Sequence, residues 1–408
     1  VPDFLPFRGT RYLAGPDLSS VVAPPYDVID EEAHARLEAA DPHNAVRLIL
    51  PRATPRLDPY EHAAATFEDW EAGGVLATDP GPAFYGYEMR YTGADGAPRR
   101  TLGVIGALGL GGAEQRDVLP HERTLPKARS DRLALLRATR ANFDPIWCLS
   151  LTGGLTEQLP PLEAAIATAE DDSGTWHGLT PVVDPARIDV IRAAVSASRL
   201  VLADGHHRFE TARAYRAEHP DDATAAAVLA LVVELDEAVL DVRAIHRLVH
   251  DAPDDLRERL AGSLWVEPAG PNTEAGVRQL GQRAAREDGL GLVDREGLAW
   301  LAPSDASVAL ASRNLPPELR DVDAARFDVW VRPALGQAQL SYRDDARTVA
   351  AMVEKGAADA AVLLKPVTVP QIRAAALAGL RMPEKTSFFW PKPRTGLVMR
   401  SLDADRRG

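Results

Sequence analysis

The chain has one cysteine in 408 residues. Cys148 lies in the apolar stretch PIWCLS, so structural disulfides and zinc–thiolate clusters are both excluded. Long hydrophobic runs are missing too: none approaches the roughly 18 residues needed to span a bilayer, and no membrane partner is expected. No Lys/Arg-headed apolar leader precedes the fold, and the cytoplasm is the expected location. Positive charge is in the minority, with 46 Lys and Arg against 59 Asp and Glu and a net charge of −13. That balance opposes a nucleic-acid partner, because affinity for a phosphate backbone needs a net basic surface. Several signatures are absent as well: G-x-x-x-x-G-K-[ST], G-x-G-x-x-G after a strand, H-E-x-x-H and G-x-S-x-G. Ordinary P-loop, Rossmann, zincin and α/β-hydrolase readings are therefore weak.

What is present describes a globular chain, 46% hydrophobic and 26% charged, long enough for two domains. The pattern is mixed α and β. Asp58-Pro59-Tyr60-Glu61 predicts a capped helix, with Phe67 and Trp70 on its inner face and Gly73 at its end. Phe84 to Tyr91 and Thr101 to Leu110 read as a hairpin through Asp95-Gly96. Ser130 is expected to cap a helix running to about Ala141, with Leu133, Leu135 and Leu136 inward and its arginines on the opposite face. Asp184-Pro185 opens a helix that leads into RLVLAD, and AAAVLALVVELD reads as a buried strand. Beyond the polar junction HDAPDD, strands are expected at 263–266, 298–301, 307–311 and 360–364, with helices at 273–286, 344–355 and 369–378. The expected domains are 1–250 and 251–408.

Residues 200–208 read LVLADGHHR, an apolar run that stops at Asp204-Gly205-His206-His207-Arg208, followed by the helical pattern FETARAYRAE. A buried strand feeding a glycine turn into a helix start offers backbone N–H groups and the positive end of a helix dipole, which favour phosphate. Two histidines and an arginine add donors. A surface turn whose polar residues merely cap the helix fits the same letters. A second candidate is LPHERT, where Glu122 lies between His121 and Arg123 and can take a proton from a hydroxyl. Arg123, Lys127, Arg129, Arg132, Arg137 and Arg140 then gather positive charge against the single acid Asp131, which suits a small anionic substrate. A third is APPYDV, in which two prolines stiffen a loop that can aim Tyr26 and Asp27 at a substrate ammonium. A fourth is MPEKTSFFWPK, where Lys385, Thr386, Ser387 and Lys392 can close over an anion.

Together FRGTRY, VVAPPYDVI, DPHNAVRL, LPHERT, RLALLRATRANFDPIW, ADGHHRFETA and MPEKTSFFWPK resemble the bacterial family catalogued as domain of unknown function 1015. Within it, ADGHHR resembles the phosphate-binding motif of the free serine kinases of the ParB/sulfiredoxin-like superfamily. That resemblance implies a mixed α/β fold: a ParB/sulfiredoxin-like nucleotide-binding core with an additional α/β C-terminal domain. It also implies phosphoryl transfer from ATP or ADP, with Mg2+, to the hydroxyl of free L-serine or a close analogue. Glu122, His121 and Asp204 are then the expected catalytic residues, and Asp204 the expected Mg2+ ligand. Gly205, His206, His207, Arg208, Arg123 and Lys127 are expected to hold the nucleotide, and Tyr26, Asp27, Arg140 and Lys385 the substrate. Two other readings stay open: a ParB-like regulatory module that switches on a nucleotide, and a metal-dependent hydrolase built on Asp204, His206 and His207.

Overall fold

The run AAAVLALVVELD, apolar without alternation, has both faces to bury. In the computed structural model, which describes residues 2–93, 96–111, 117–120, 127–159 and 165–406, it forms the strand Ala227–Glu234 inside a nine-stranded sheet. The order across that sheet is Val118–Pro120, Leu200–Asp204, Ile146–Ser150, Ala227–Glu234, Pro98–Gly109, Phe84–Thr92, Trp176–Val182, Ala167–Glu170, with Phe4–Leu5 paired to Pro98–Gly109 off this path. Two pairings are parallel, Leu200–Asp204 with Val118–Pro120 and Ala227–Glu234 with Ile146–Ser150. The others are antiparallel.

Ile191 and Val195 of the helix Pro185–Ser196, and Phe209 and Ala212 of the helix His206–Glu218, share one apolar cluster with the sheet residues Phe84, Val104, Leu202 and Val232. Phe4 and Phe84 stack there with centroids 5.0 Å apart. Gly106 admits them: a Cβ at that position would lie 2.5 Å from the Phe4 ring and 2.7 Å from the Phe84 ring. A side chain there would force the stack apart.

The helix at 59–72 begins as expected, with the Asp58 side chain accepting from the N–H groups of Tyr60 and Glu61, and Glu61 accepting from the N–H of Asp58. The basic helix differs. It runs Lys127–Thr139, three residues ahead of Ser130, so Ser130 is not its cap. Nor do its arginines share one solvated face: Arg132 is buried, donating to the Ile49 carbonyl at 2.6 Å and to Asp131. Leu136 instead packs with Tyr215 of the helix His206–Glu218, which ties the two helices together.

The chain forms two units, one running to Asp241 and resuming at Pro391, the other Val242–Trp390. The division falls at 241–242, near the expected 250, and the segment from Pro391 joins the first unit, where 251–408 was expected to stand as one domain. The last segment belongs to the first unit because its backbone is built into it: Thr10 and Met399 exchange N–H···O bonds of 2.8 and 2.9 Å, Ala23 and Thr395 exchange bonds of 3.1 and 2.8 Å, and Arg400–Ser401 pairs with Ala141–Asn142.

The second unit has a six-stranded antiparallel sheet in the order Leu264–Gly270, Gly297–Pro303, Leu290–Asp294, Ala360–Leu363, His246–His250, Gln339–Arg343. The helices Glu274–Ala284 and Ala346–Glu354 bury Val277, Leu280, Val349 and Val353 against Leu248, Leu298 and Trp300. The segment 307–311 is no strand. It lies within the helix Asp305–Asn314, because Ser304 and Ser307 form a reciprocal capping box. Near the ends of this unit, the Arg243 guanidinium lies 4.1 Å from the centre of the Trp390 ring. The fold is mixed α/β, and among the described residues no helix is long and apolar enough to cross a membrane.

Candidate functional site

The strand Leu200–Asp204 is buried until its last residue. Its pairing with Ile146–Ser150 shifts register between Leu202 and Asp204, which lies opposite Trp147. Such an irregularity re-aims the residue that follows it. Gly205 then turns the chain with φ +86°, and a Cβ there would stand 2.9 Å from Ile146 Cγ2 and 3.1 Å from Arg208 Nε. Only glycine fits both the left-handed backbone and the space. The helix His206–Glu218 starts at once, with no side-chain cap on its first turn, so the positive end of its dipole faces this turn.

Beneath the turn lies a compact charge cluster. Arg208 Nη1 donates to Asp144 Oδ2 and, at 2.8 Å, to the Pro145 carbonyl, while Nη2 donates to Asp204 Oδ2 at 2.8 Å. Lys392 Nζ donates to the other oxygen of Asp204. The side chains of Arg208, Asp144, Asp204 and Lys392 are 10%, 11%, 14% and 9% exposed, so these pairs stand largely out of water, where breaking one costs far more than at a surface. Burial works against ionisation of Asp204, but Lys392 and Arg208 outweigh it and hold the carboxyl well below the usual range. For Asp144 burial dominates and moves the carboxyl up despite Arg208 beside it. Burial alone would lower the Arg208 guanidinium, yet Asp144, Asp204 and Asp27 hold it above its ordinary value.

The Pro24-Pro25 loop brings Tyr26 and Asp27 to the same cluster. Pro25 leads into a single 3-10 turn, Tyr26–Val28. The Arg132 guanidinium lies 4.3 Å from the centre of the Tyr26 ring. Burial pushes the Tyr26 phenol up to about 12, and the charges of Arg208 and Asp27 act on it.

The expected residues therefore separate. Asp204, Gly205, Arg208, Tyr26 and Asp27 come together, and His206 adds its charge to Asp204. His207 Nε2 is buried with no hydrogen-bond partner among the described residues. Arg208, expected on phosphate, has three protein acceptors and points beneath the turn. Arg140, expected on substrate, is occupied elsewhere: it donates to Asp403 at 3.0 Å, Tyr215 Oη at 2.6 Å and Asp222 at 3.0 Å, and ties the end of the basic helix to its neighbours. Lys385 belongs to the second unit, where its carbonyl accepts from Arg247 at 2.9 Å. His121, Glu122 and Arg123 lie outside the described residues, as does the side chain of Lys127.

Each carboxylate oxygen of Asp204, the expected Mg2+ ligand, accepts from a cation, and among the described residues no group of three His, Cys, Asp or Glu is placed to hold a metal ion. Asp144 is the addition, and its signal is an Asp-Pro step just ahead of the apolar strand Ile146–Ser150; of the expected anion group, Lys392 reaches the cluster while Lys385 belongs to the second unit.

The family model that matches this chain, DUF1015, described as a protein of unknown function, covers residues 4–325. The chain belongs to the DUF1015 family. No curated protein matches it. Solved structures similar to it include a free serine kinase in complex with AMP, at 13% identity and a TM-score of 0.40, covering 74% of this chain and 93% of that one. A conserved hypothetical protein from Pyrococcus furiosus aligns at 13% identity and 0.39, over 74% and 97% of the two chains. A C-terminally truncated SbnI from Staphylococcus aureus aligns at 12% and 0.35, over 72% and 81%.

Proposed function

We propose that this chain is a small-molecule kinase that transfers a phosphoryl group from ATP or ADP to the hydroxyl of free L-serine or a close analogue, giving O-phosphoserine. One observation carries the reading: ADGHHR, the segment that resembles a kinase phosphate-binding motif, forms a buried strand, a left-handed glycine and an uncapped helix start. In that arrangement the first-turn amides and His206 and His207 hold the donor's phosphates. Arg208 does not leave its three acceptors. It fixes the shape of the turn from below.

Transfer forms a bond from the serine Oγ to the terminal phosphorus and breaks the bond to the departing nucleotide oxygen. Glu122 takes the hydroxyl proton. Positioning and charge stabilisation are most of what this reaction asks of a protein. Tyr26 and Asp27, beside the same cluster, suit the acceptor end, with the Asp27 carboxylate matched to an ammonium. The test is to incubate the full chain with ATP or ADP, with and without Mg2+, and a panel of amino acids, and to look for O-phosphoserine by mass spectrometry. Nucleotide consumed with no phosphorylated small molecule would favour the regulatory module.

A further inference from the structure

A free amino acid carries a carboxylate as well as an ammonium, so an acceptor site built around Asp27 calls for a cation too. The arginines around the turn are engaged: Arg208 on Asp144, Asp204 and the Pro145 carbonyl, Arg132 on Asp131 and the Ile49 carbonyl, Arg140 on Asp403, Tyr215 and Asp222. Arg394 differs. Its Nε is buried with no hydrogen-bond partner among the described residues, and its Nη1 stands 3.7 Å from Asp171 Oδ2, beyond hydrogen-bonding range. Asp171 is itself committed. Its Oδ1 accepts from the Ser173 N–H at 2.9 Å, Ser173 Oγ at 2.6 Å and the Thr175 N–H at 3.1 Å, and its Oδ2 faces His177 Nε2 at 3.4 Å. Burial draws the Arg394 guanidinium below its ordinary value, and the charges of Asp171, Tyr87 and Asp172 do not make up the difference. A planar fork of donors, on a side chain still 12% exposed, is therefore short of negative charge.

The backbone holds this guanidinium in place. The Arg394 N–H donates to Tyr87 Oη at 3.0 Å, and Tyr87 Oη bonds His177 Nδ1 at 2.8 Å inside the same buried chain of contacts that ends on Asp171. Two residues earlier, Lys392 pairs with Asp204 at the glycine turn, and two residues of chain span at most about 7 Å. One residue later, Thr395 exchanges backbone bonds with Ala23, three residues ahead of Tyr26. Arg394 is thus carried on the segment that joins the proposed donor turn to the loop proposed for the acceptor.

We propose that Arg394 binds the α-carboxylate of the acceptor amino acid, as Asp27 binds its ammonium, so that both charges of the free amino acid are read. This rests on the kinase reading and names a residue that sets its acceptor specificity.

The experiment compares L-serine with L-serinamide, which keeps the ammonium and the hydroxyl but lacks the carboxylate, as acceptors for the full chain as wild type, R394M and R394K. In R394M the KM for serine rises about 10–100-fold, the loss of one charge-assisted pair, while kcat, ADP affinity and the KM for serinamide stay at their wild-type values. R394K keeps the charge without the fork and falls between. An unchanged serine KM in R394M overturns the proposal and leaves the kinase reading standing. Equal rises for serine and serinamide, or a matching loss of ADP affinity, make Arg394 a structural residue and overturn it as well. If R394M does not fold, R394K decides: a wild-type ratio of the two KM values overturns the proposal, and a shift of that ratio toward serinamide supports it. A wild-type chain that phosphorylates neither compound removes the kinase reading and this proposal together.

Discussion

Gly205→Ala probes the turn with a single methyl group. Residues other than glycine adopt left-handed φ at a cost of about 1–2 kcal/mol, and Gly205 has φ +86°. The new methyl would also stand 2.9 Å from Ile146 Cγ2, and Ile146 is fully buried in the sheet, with no room to retreat. Overpacking of that kind costs about 1–3 kcal/mol. The total for the first unit is therefore about 2–5 kcal/mol. Gly174→Ala is the control, with φ +74° and nothing within 4 Å of its would-be Cβ, so it pays only the backbone cost of about 1–2 kcal/mol. Urea unfolding followed by tryptophan fluorescence reads both, since Trp147 lies in the strand that faces the turn. Gly205→Ala should also weaken ADP binding, because the first-turn amides move with the backbone. Equal destabilisation by the two variants, to within about 0.5 kcal/mol, would refute the argument that this turn is sterically closed to any side chain.

Arg208→Ala should destabilise the first unit by about 3–5 kcal/mol in chemical denaturation, because it strands the buried Asp144 and leaves Asp204 with Lys392 alone; a near-neutral effect with lost nucleotide binding would return Arg208 to the ligand role. In the second unit, burial and the neighbouring Arg247 push His246 down to about 4, and its Nδ1 accepts from the Leu364 N–H at 3.2 Å. A folded value below the unfolded one of about 6.5 means the unfolded chain binds more protons, so this contribution is fully present above that pH and fades as pH falls toward 4. Stability of the second unit should drop by about 2 kcal/mol between pH 7.5 and 5, and His246→Gln should abolish that part of the dependence. Glu122→Gln should lower kcat by about 10²–10⁴-fold with nucleotide affinity nearly unchanged, and normal turnover would remove Glu122 as the base. Ending the chain after Trp390 should leave a first unit that limited proteolysis cuts readily, since the backbone pairs at Thr10, Ala23 and Ala141 vanish with it.

Elements whose signals are local were readable from the sequence. The Asp58 capping box, the strands around residues 84–109 and the strand-turn-helix at 200–218 all follow from patterns that neighbouring residues complete. The segment 307–311 misled because SVALA alternates loosely, and the serine that decides its state lies three residues upstream. Charge partners were less legible. Arg208 looks like a phosphate ligand in ADGHHR because nothing in those six letters reveals Asp144, and Arg140 looks available until Asp222 and Asp403 arrive from distant parts of the chain. A side chain's residue type limits what it can bind, but its tertiary neighbours decide whether it is already spoken for.

The return of the chain to its first unit bears on how the protein is made. A ribosome that has passed Asp241 has produced every strand of the large sheet, but not the residues that pair with Thr10, Ala23 and Ala141. At about 5–20 residues per second, the intervening unit takes roughly 7–30 s to emerge. For that interval the nascent chain carries Asp204 without its lysine, with open backbone groups beside the Pro24-Pro25 loop. Prematurely terminated chains are left with an unfinished surface for cellular proteases to find.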